Sequence, residues 1–173
     1  MRILPLVLLA LLAAASPAHA DVVDDAFSDA RAAFARAAPA LAAGEFGVDI
    51  VAYGEALAGN RFASTQGNGQ PLRLGVLRGD GGGSCDRYAA YVTLPPRDGE
   101  VTLVVCPQFR ESGTPALRML TVLHEVVHAV AGPSECRAMA FAARVEHLAT
   151  GTHTPVDRYW RANGCEGSAF PLP

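Results

Sequence analysis

Two helical segments separated by only three residues dominate the layout of this 173-residue chain. The first segment, residues 116–131, carries leucine and valine at helical spacing and ends at Gly132 and Pro133. Ser134 is a favourable N-cap, which predicts that the second helix runs from Glu135 to about residue 149. A connection this short favours a hairpin in which the two helices lie side by side.

The residues around this pair of helices predict a small sheet. Residues 87–94 and 101–106 are rich in β-branched and apolar side chains, and the turn between them contains Pro and Asp-Gly, which is typical of a β-hairpin. The second run is continuous enough to be a central strand. Weaker patterns predict a helix over 24–43 that Pro39 kinks or shortens, short strands over 47–53 and 72–77, and a last helix over 155–162. We therefore expect an α+β fold with a small antiparallel sheet packed on a helical layer.

The first twenty residues have the pattern of a signal peptide. Arg2 supplies a positive start, residues 3–15 are almost wholly apolar, and Ala18-His19-Ala20 is a small-x-small cleavage site. The apolar run is shorter than the roughly 20 residues that a membrane crossing needs. We therefore expect cleavage near Ala20, a periplasmic or secreted product without membrane insertion, and a single domain over residues 21–173.

The four cysteines are expected to form disulfides. They are Cys85, Cys106, Cys136 and Cys165, with no C-x-x-C pair among them. An even number of cysteines in an exported chain favours disulfides, whereas a zinc ribbon, the alternative, requires closely spaced pairs. We expect Cys85 to pair with Cys106 and Cys136 with Cys165, so that each bond joins neighbouring elements.

The charged residues exclude several functions. All 14 basic residues are arginine, which removes phosphate-binding loops and Schiff-base chemistry that need a lysine. The glycine-rich run at residues 79–84 therefore predicts a flexible connector. The arginines are scattered and form no basic stripe, so nucleic acid is not an expected partner.

A metal-binding pattern lies inside the first of the two helices, at His124-Glu125-Val126-Val127-His128. Side chains four residues apart lie on one helical face, where two imidazoles can bind one zinc ion. Glu125 points about 100° away around the axis, so it can reach a metal-bound water as a general base without ligating the metal. The alternative is that both histidines are polar-face residues paired with nearby carboxylates.

A catalytic zinc site needs a third protein ligand. The short turn brings Glu135 back towards His128 and favours it, although the same residue would also complement the helix dipole. Glu146 lies eleven residues further along, which is about 16 Å at helical rise. The other candidates are His147, His153 and Asp157.

The motif and its surroundings resemble the zincin metallopeptidases, whose active-site helix carries His-Glu-x-x-His. The resemblance covers residues 101–140 and implies that His124 and His128 ligate Zn²⁺ and that Glu125 is the catalytic base. The strand end before the motif is loosely similar to deuterolysin-type enzymes, but their Gly-Thr-x-Asp signature is missing. Ser134 occupies the third histidine position of the extended metzincin motif.

These observations predict an exported zinc metallopeptidase that hydrolyses peptide or protein substrates with a metal-activated water. One alternative is a catalytically inactive, disulfide-stapled zinc-binding module, and another is a zinc amidase that acts on peptidoglycan. Four residues are candidates for stabilising the oxyanion of the reaction, namely Arg137, His153, Arg158 and Tyr159.

Overall fold

The computed structural model describes residues 21–173, and the expected signal peptide lies outside this range. Six α-helices and three β-strands are formed there: α1 (Val22–Ala37), α2 (Ile50–Leu57), β1 (Arg73–Arg78), β2 (Ala90–Arg97), β3 (Glu100–Val105), α3 (Pro107–Glu111), α4 (Pro115–Ala131), α5 (Glu135–Thr150) and α6 (Asp157–Ala162). The expected α+β fold is confirmed, as are the two helices on either side of Gly132-Pro133-Ser134.

The sheet is mixed, so the prediction of an antiparallel sheet was wrong for one of its strands. The strand order is β1-β3-β2, with β3 central as expected and paired antiparallel with β2. β1 pairs with β3 in the parallel direction. The connector after β1 passes the end of β3, where Gly79 donates to the Val105 carbonyl and Cys106 donates to the Ala89 carbonyl. Because a hairpin pattern reports only on consecutive strands, it gave no information about β1.

The segment after residue 47 is helical, so the strand expected over residues 47–53 was wrong. Asp49 is the N-cap of α2, and its carboxylate accepts hydrogen bonds from the backbone N–H groups of Val51 and Ala52. The buried residues that follow have the spacing of one helical face, with Tyr53 and Leu57 four apart. A capping aspartate thus outweighs the strand propensity of Ile50 and Val51.

The helical layer is built around α4 and α5, which pack as the expected hairpin and are both contacted by α1. Buried alanines line the contacts, including Ala30 and Ala33 of α1 and Ala138 and Ala142 of α5. Small side chains reduce the distance at which helices pack, so the three helices form a tight layer behind the sheet. α1 ends at a 3₁₀ turn that contains Pro39, in agreement with the predicted shortening.

The predicted disulfides are confirmed. Cys85 bonds Cys106 and ties the turn before β2 to the end of β3, while Cys136 bonds Cys165 and ties the start of α5 to the residues after α6. No cysteine is left free to ligate a metal, which removes the zinc-ribbon alternative. None of the described helices combines the length and hydropathy that a membrane crossing requires.

Candidate metal centre

The helix α4 holds the histidine motif in a buried position. Its N-cap, Thr114, accepts a hydrogen bond from the Leu117 N–H. The motif lies three turns further on, and the exposed fractions of His124, Glu125 and His128 are 5, 7 and 5%. Buried apolar residues of α4 surround these polar side chains, so their positions are set by packing in the helical layer.

His128 is oriented by the end of its own helix. Its Nδ1 lies 3.0 Å from the Gly132 carbonyl oxygen, so the Nδ1–H donates there and Nε2 faces the site. Gly132 has a φ of +89°, and a Cβ there would come within 2.9 Å of Gln66 Nε2. The hydrogen bond from His128 to the Gly132 carbonyl was not among the predictions from the sequence, although Gly132, four residues after His128, was recognisable as the end of the helix.

His124 is held differently. Its Nδ1 is buried and has no hydrogen-bond partner within residues 21–173. The imidazole instead packs edge-to-face against His128 and Tyr159, with ring centroids 4.7 and 5.6 Å apart. Its Nε2 points at His128 Nε2, 3.0 Å away.

Glu135 completes a group of three donors. As the first residue of α5, it places Oε2 3.1 Å from His124 Nε2 and 3.4 Å from His128 Nε2. The hairpin turn thus brings together the three residues that the sequence favoured. They are the one group of three potential ligands within metal-binding distance among the described residues.

The spacing of these atoms fits a small divalent ion. Tetrahedral zinc with bonds of about 2.0–2.1 Å requires ligand atoms about 3.3 Å apart. The three separations between the two Nε2 atoms and Oε2 are 3.0, 3.1 and 3.4 Å. Two imidazoles and one carboxylate are a donor set typical of catalytic zinc, with the fourth position left to water or substrate.

The pKa shifts of His124 and Glu135 suit metal binding, whereas the shift of His128 favours the imidazolium, from which a metal must displace a proton. Burial lowers the pKa of His124, which favours the neutral imidazole that a ligand needs. Burial also opposes the charged form of His128, but hydrogen bonding to Glu135 and the charge of Glu125 raise its pKa overall. Glu135 is itself partly buried, yet hydrogen bonds from His124, His128 and Tyr159 hold the pKa of its carboxyl far below the usual range. The carboxylate is therefore ionised throughout the neutral pH range.

Glu125 lies beside the three donors but outside their group. Burial raises the pKa of its carboxyl to about 8, while the charge of His128 and the backbone of Val92 act in the opposite direction. A carboxyl with a pKa near neutrality can both accept and release a proton, as a general base must.

Tyr159 is the oxyanion candidate that contacts the metal-binding group, at two of its three donors. Its hydroxyl donates a hydrogen bond to Glu135 Oε2 and lies 3.4 Å from His124 Nε2. Burial and the Glu135 carboxylate raise its pKa far above the usual value, so the hydroxyl stays protonated and acts as a donor. The residue was one of four equivalent candidates in the sequence because only the tertiary fold brings α6 to α5.

The other three oxyanion candidates lie elsewhere. Arg137 donates to the Ala131 carbonyl at 2.7 Å and lies over the Phe170 ring. His153 faces His147, with ring centroids 6.3 Å apart. Arg158 is exposed and lines the cleft in front of the site.

The alternative third ligands are also outside the group. Both carboxylate oxygens of Glu146 accept hydrogen bonds from Thr154. His147 and His153 do not line the cleft, and Asp157 is an exposed residue at the start of α6. Glu135 is thus the one of the five candidates that meets the two motif histidines.

The site lies in a cleft of about 830 Å³. β2 forms one wall, and because the strand order is β1-β3-β2, the outer edge of β2 is not paired with another described strand. The lining is mainly apolar, and it includes two of the large apolar side chains that are exposed to solvent, Tyr88 and Leu117. Apart from the metal-binding group and Glu125, its charged residues are Arg87 and Arg158.

Comparisons of the chain with protein-family models, curated proteins and solved structures give no match. The chemical interpretation of the site therefore depends on its own geometry.

Proposed function

We propose that this protein is a zinc-dependent peptidase that acts outside the cytoplasm. The observation that carries the proposal is the convergence of His124, His128 and Glu135 beside Glu125, at the floor of an open cleft. A purely structural zinc site has four protein ligands and is closed, whereas three ligands that face a cleft leave a position for substrate. The two disulfides are compatible with an exported protein.

Each residue of the site has its own role in the proposed peptide hydrolysis. His124, His128 and Glu135 would hold the metal, which when bound lowers the pKa of a water ligand towards about 7 and polarises a carbonyl group. Glu125 takes the proton that the attacking water loses and passes it to the leaving nitrogen, a role open to a carboxylate that lies beside the three ligands without belonging to them. The protonated Tyr159 hydroxyl has one proton, which it donates to Glu135 Oε2 in the free site. When substrate is bound, the same hydroxyl can turn from Glu135 and donate that proton to the oxygen of the attacked carbonyl.

The cleft supports an extended peptide as the substrate. The free edge of β2 offers backbone donors and acceptors to a chain that lies alongside it. The apolar lining favours a large apolar side chain next to the cleaved bond. Arg87 and Arg158 favour an acidic residue or a free carboxylate in the same peptide.

The test is a comparison of the parent with Glu125→Gln. Glutamine has a similar size and Glu125 is outside the group of ligands, so zinc content should stay at one ion per chain. Hydrolysis of a peptide library should fall by about 10²–10⁴, the usual contribution of a general base. Undiminished hydrolysis would assign the base to another residue, and loss of zinc would make Glu125 a ligand.

Measurements on the parent protein distinguish the peptidase from the two alternatives, a zinc-binding module and a peptidoglycan amidase. Bound zinc without hydrolysis of any peptide would favour the zinc-binding module. Cleavage of peptidoglycan but not of linear peptides would favour the amidase. Absence of zinc in protein purified without chelators, together with failure to take up added Zn²⁺, would refute all three.

A further inference from the structure

Glu146 is a buried carboxylate that the proposed reaction does not use. Its exposed fraction is 5%, and no described ion pair includes it. Its Oε2 accepts a hydrogen bond from the Thr154 backbone N–H at 2.7 Å, and its Oε1 accepts one from the Thr154 hydroxyl at 2.8 Å. Burying a carboxylate is costly unless its hydrogen bonds are satisfied, and here one residue supplies both donors.

Thr154 belongs to the α6 segment, which we define as residues 151–165. The segment leaves α5 at Gly151, which has a φ of +80°, and it carries Tyr159 to the metal-binding group. Val156 and Trp160 pack it into the core. Three polar or covalent contacts also join it to α5 along its length, namely Thr154 to Glu146, Tyr159 to Glu135, and Cys165 to Cys136.

The connection from Thr154 to Tyr159 is short and stiff. Pro155 fixes its own φ and restricts the residue before it, and Val156 is buried with an exposed fraction of 7%. The helix α6 has only six residues, too few for a helix to be stable without tertiary contacts. The disulfide anchors the chain after α6 has ended, so it does not by itself fix where the helix begins.

We propose that Glu146 is a positioning residue that acts through Thr154 to hold the Tyr159 hydroxyl on Glu135. The same contact sets the wall of the cleft that Pro155 and Val156 form. The importance of Tyr159 for turnover rests on the proposed function. The placement of Tyr159 by Glu146 does not, and it can be measured without a substrate.

The test is a double-mutant cycle between Glu146→Leu and Tyr159→Phe in the full chain with both disulfides formed. Leucine keeps the buried volume but accepts no hydrogen bond, and phenylalanine keeps the ring without the hydroxyl. The measurement is Zn²⁺ affinity by competition with a chelator. Tyr159→Phe should weaken binding about tenfold, the lower end of the range for groups that orient a ligand.

Glu146→Leu should weaken zinc binding up to about tenfold in the parent and less than about twofold in the Tyr159→Phe background. Such non-additivity is expected only if Glu146 acts through the hydroxyl. An equal loss in both backgrounds would overturn the proposal, and so would no loss in either.

Trp160 gives a second measurement that does not depend on metal. It is the one tryptophan of the sequence, it lies next to Tyr159, and its exposed fraction is 9%. Glu146→Leu should shift its emission to longer wavelength and increase quenching by acrylamide. Glu146→Gln should resemble the parent, because its amide can accept from the Thr154 N–H and donate to the hydroxyl. Unchanged emission in the leucine variant, or a glutamine variant that behaves like it, would contradict the proposal.

Two further variants keep the test decisive. Thr152→Ala changes an exposed residue of the same loop and should leave both measurements at parent values. If circular dichroism shows that Glu146→Leu does not fold, Thr154→Val removes the hydroxyl contact alone. It should weaken zinc binding about threefold, again only when Tyr159 is present. An equal effect in both backgrounds would refute the role of Glu146. If the expected non-additivity is found but the protein has no peptidase activity, only the proposed function is refuted.

Discussion

Removal of the third donor is the sharpest test of the metal centre. Glu135→Ala deletes Oε2, which lies 3.1 and 3.4 Å from the two imidazole Nε2 atoms, and the alanine Cβ cannot reach the same point. Glu146→Ala is the matched comparison, since Glu146 is also a glutamate of α5 but lies about three helical turns away and can affect the metal only indirectly.

The size of the effect follows from the number of ligands. Structural zinc bound by four protein ligands is worth about 10–16 kcal/mol, or about 3 kcal/mol per ligand. Loss of Glu135 should therefore weaken Zn²⁺ binding on the order of a hundredfold. Glu146→Ala should weaken it by no more than about tenfold, through Tyr159 alone.

The assay is competition with a chromophoric zinc chelator at fixed pH and ionic strength. Circular dichroism of both variants must match the parent, because Glu135 also begins a helix and contributes to its stability there. Glu135→Gln should fall between the parent and Glu135→Ala, since its amide oxygen is a weaker, neutral donor. Parent-like affinity of Glu135→Ala would refute the assignment and return attention to His147, His153 and Asp157. A larger loss of Zn²⁺ affinity in Glu146→Ala than in Glu135→Ala would instead assign Glu146 as the third ligand.

Three further predictions concern folding and selectivity. Thiol counting on denatured, unreduced protein should find no free thiol, and four reactive thiols would contradict the prediction of two disulfides. Replacing Cys136 and Cys165 by serine should lower the free energy of unfolding by about 3–4 kcal/mol, the value expected for their separation of 29 residues. Tyr53→Phe should lower the free energy of unfolding by about 1 kcal/mol in urea titrations, because the buried hydroxyl donates to the Leu123 carbonyl at 2.7 Å; unchanged stability would mean that this bond contributes nothing. Arg158→Ala should reduce the ratio of kcat/KM for acidic peptides to kcat/KM for neutral peptides by up to about fivefold, which is the contribution of an exposed ion pair. An unchanged ratio would show that Arg158 does not take part in substrate selection.

Local chemistry made much of this protein predictable from its sequence. The hairpin of α4 and α5 followed from apolar spacing, from Gly132 and Pro133 as a stop, and from Ser134 as a cap. The spacing of His124 and His128 placed both imidazoles on one face, and the short turn favoured Glu135. The disulfide pairing also agreed with the structure, since each bond joins elements close to each other along the chain.

The way in which distant segments meet could be seen only in the folded chain. The parallel placement of β1, the contact of Tyr159 with Glu135 and the hydrogen bonds between Glu146 and Thr154 all depend on how the chain packs after its local elements have formed. The helical conformation of residues 50–57 shows the same limit at short range, because the cap at Asp49 competed with strand propensity. Periodicity, caps and turns act over a few residues and can be recognised in a linear sequence. The meeting of α6 with α5 depends on the sum of many weak packing contacts, and no single residue pattern records that sum.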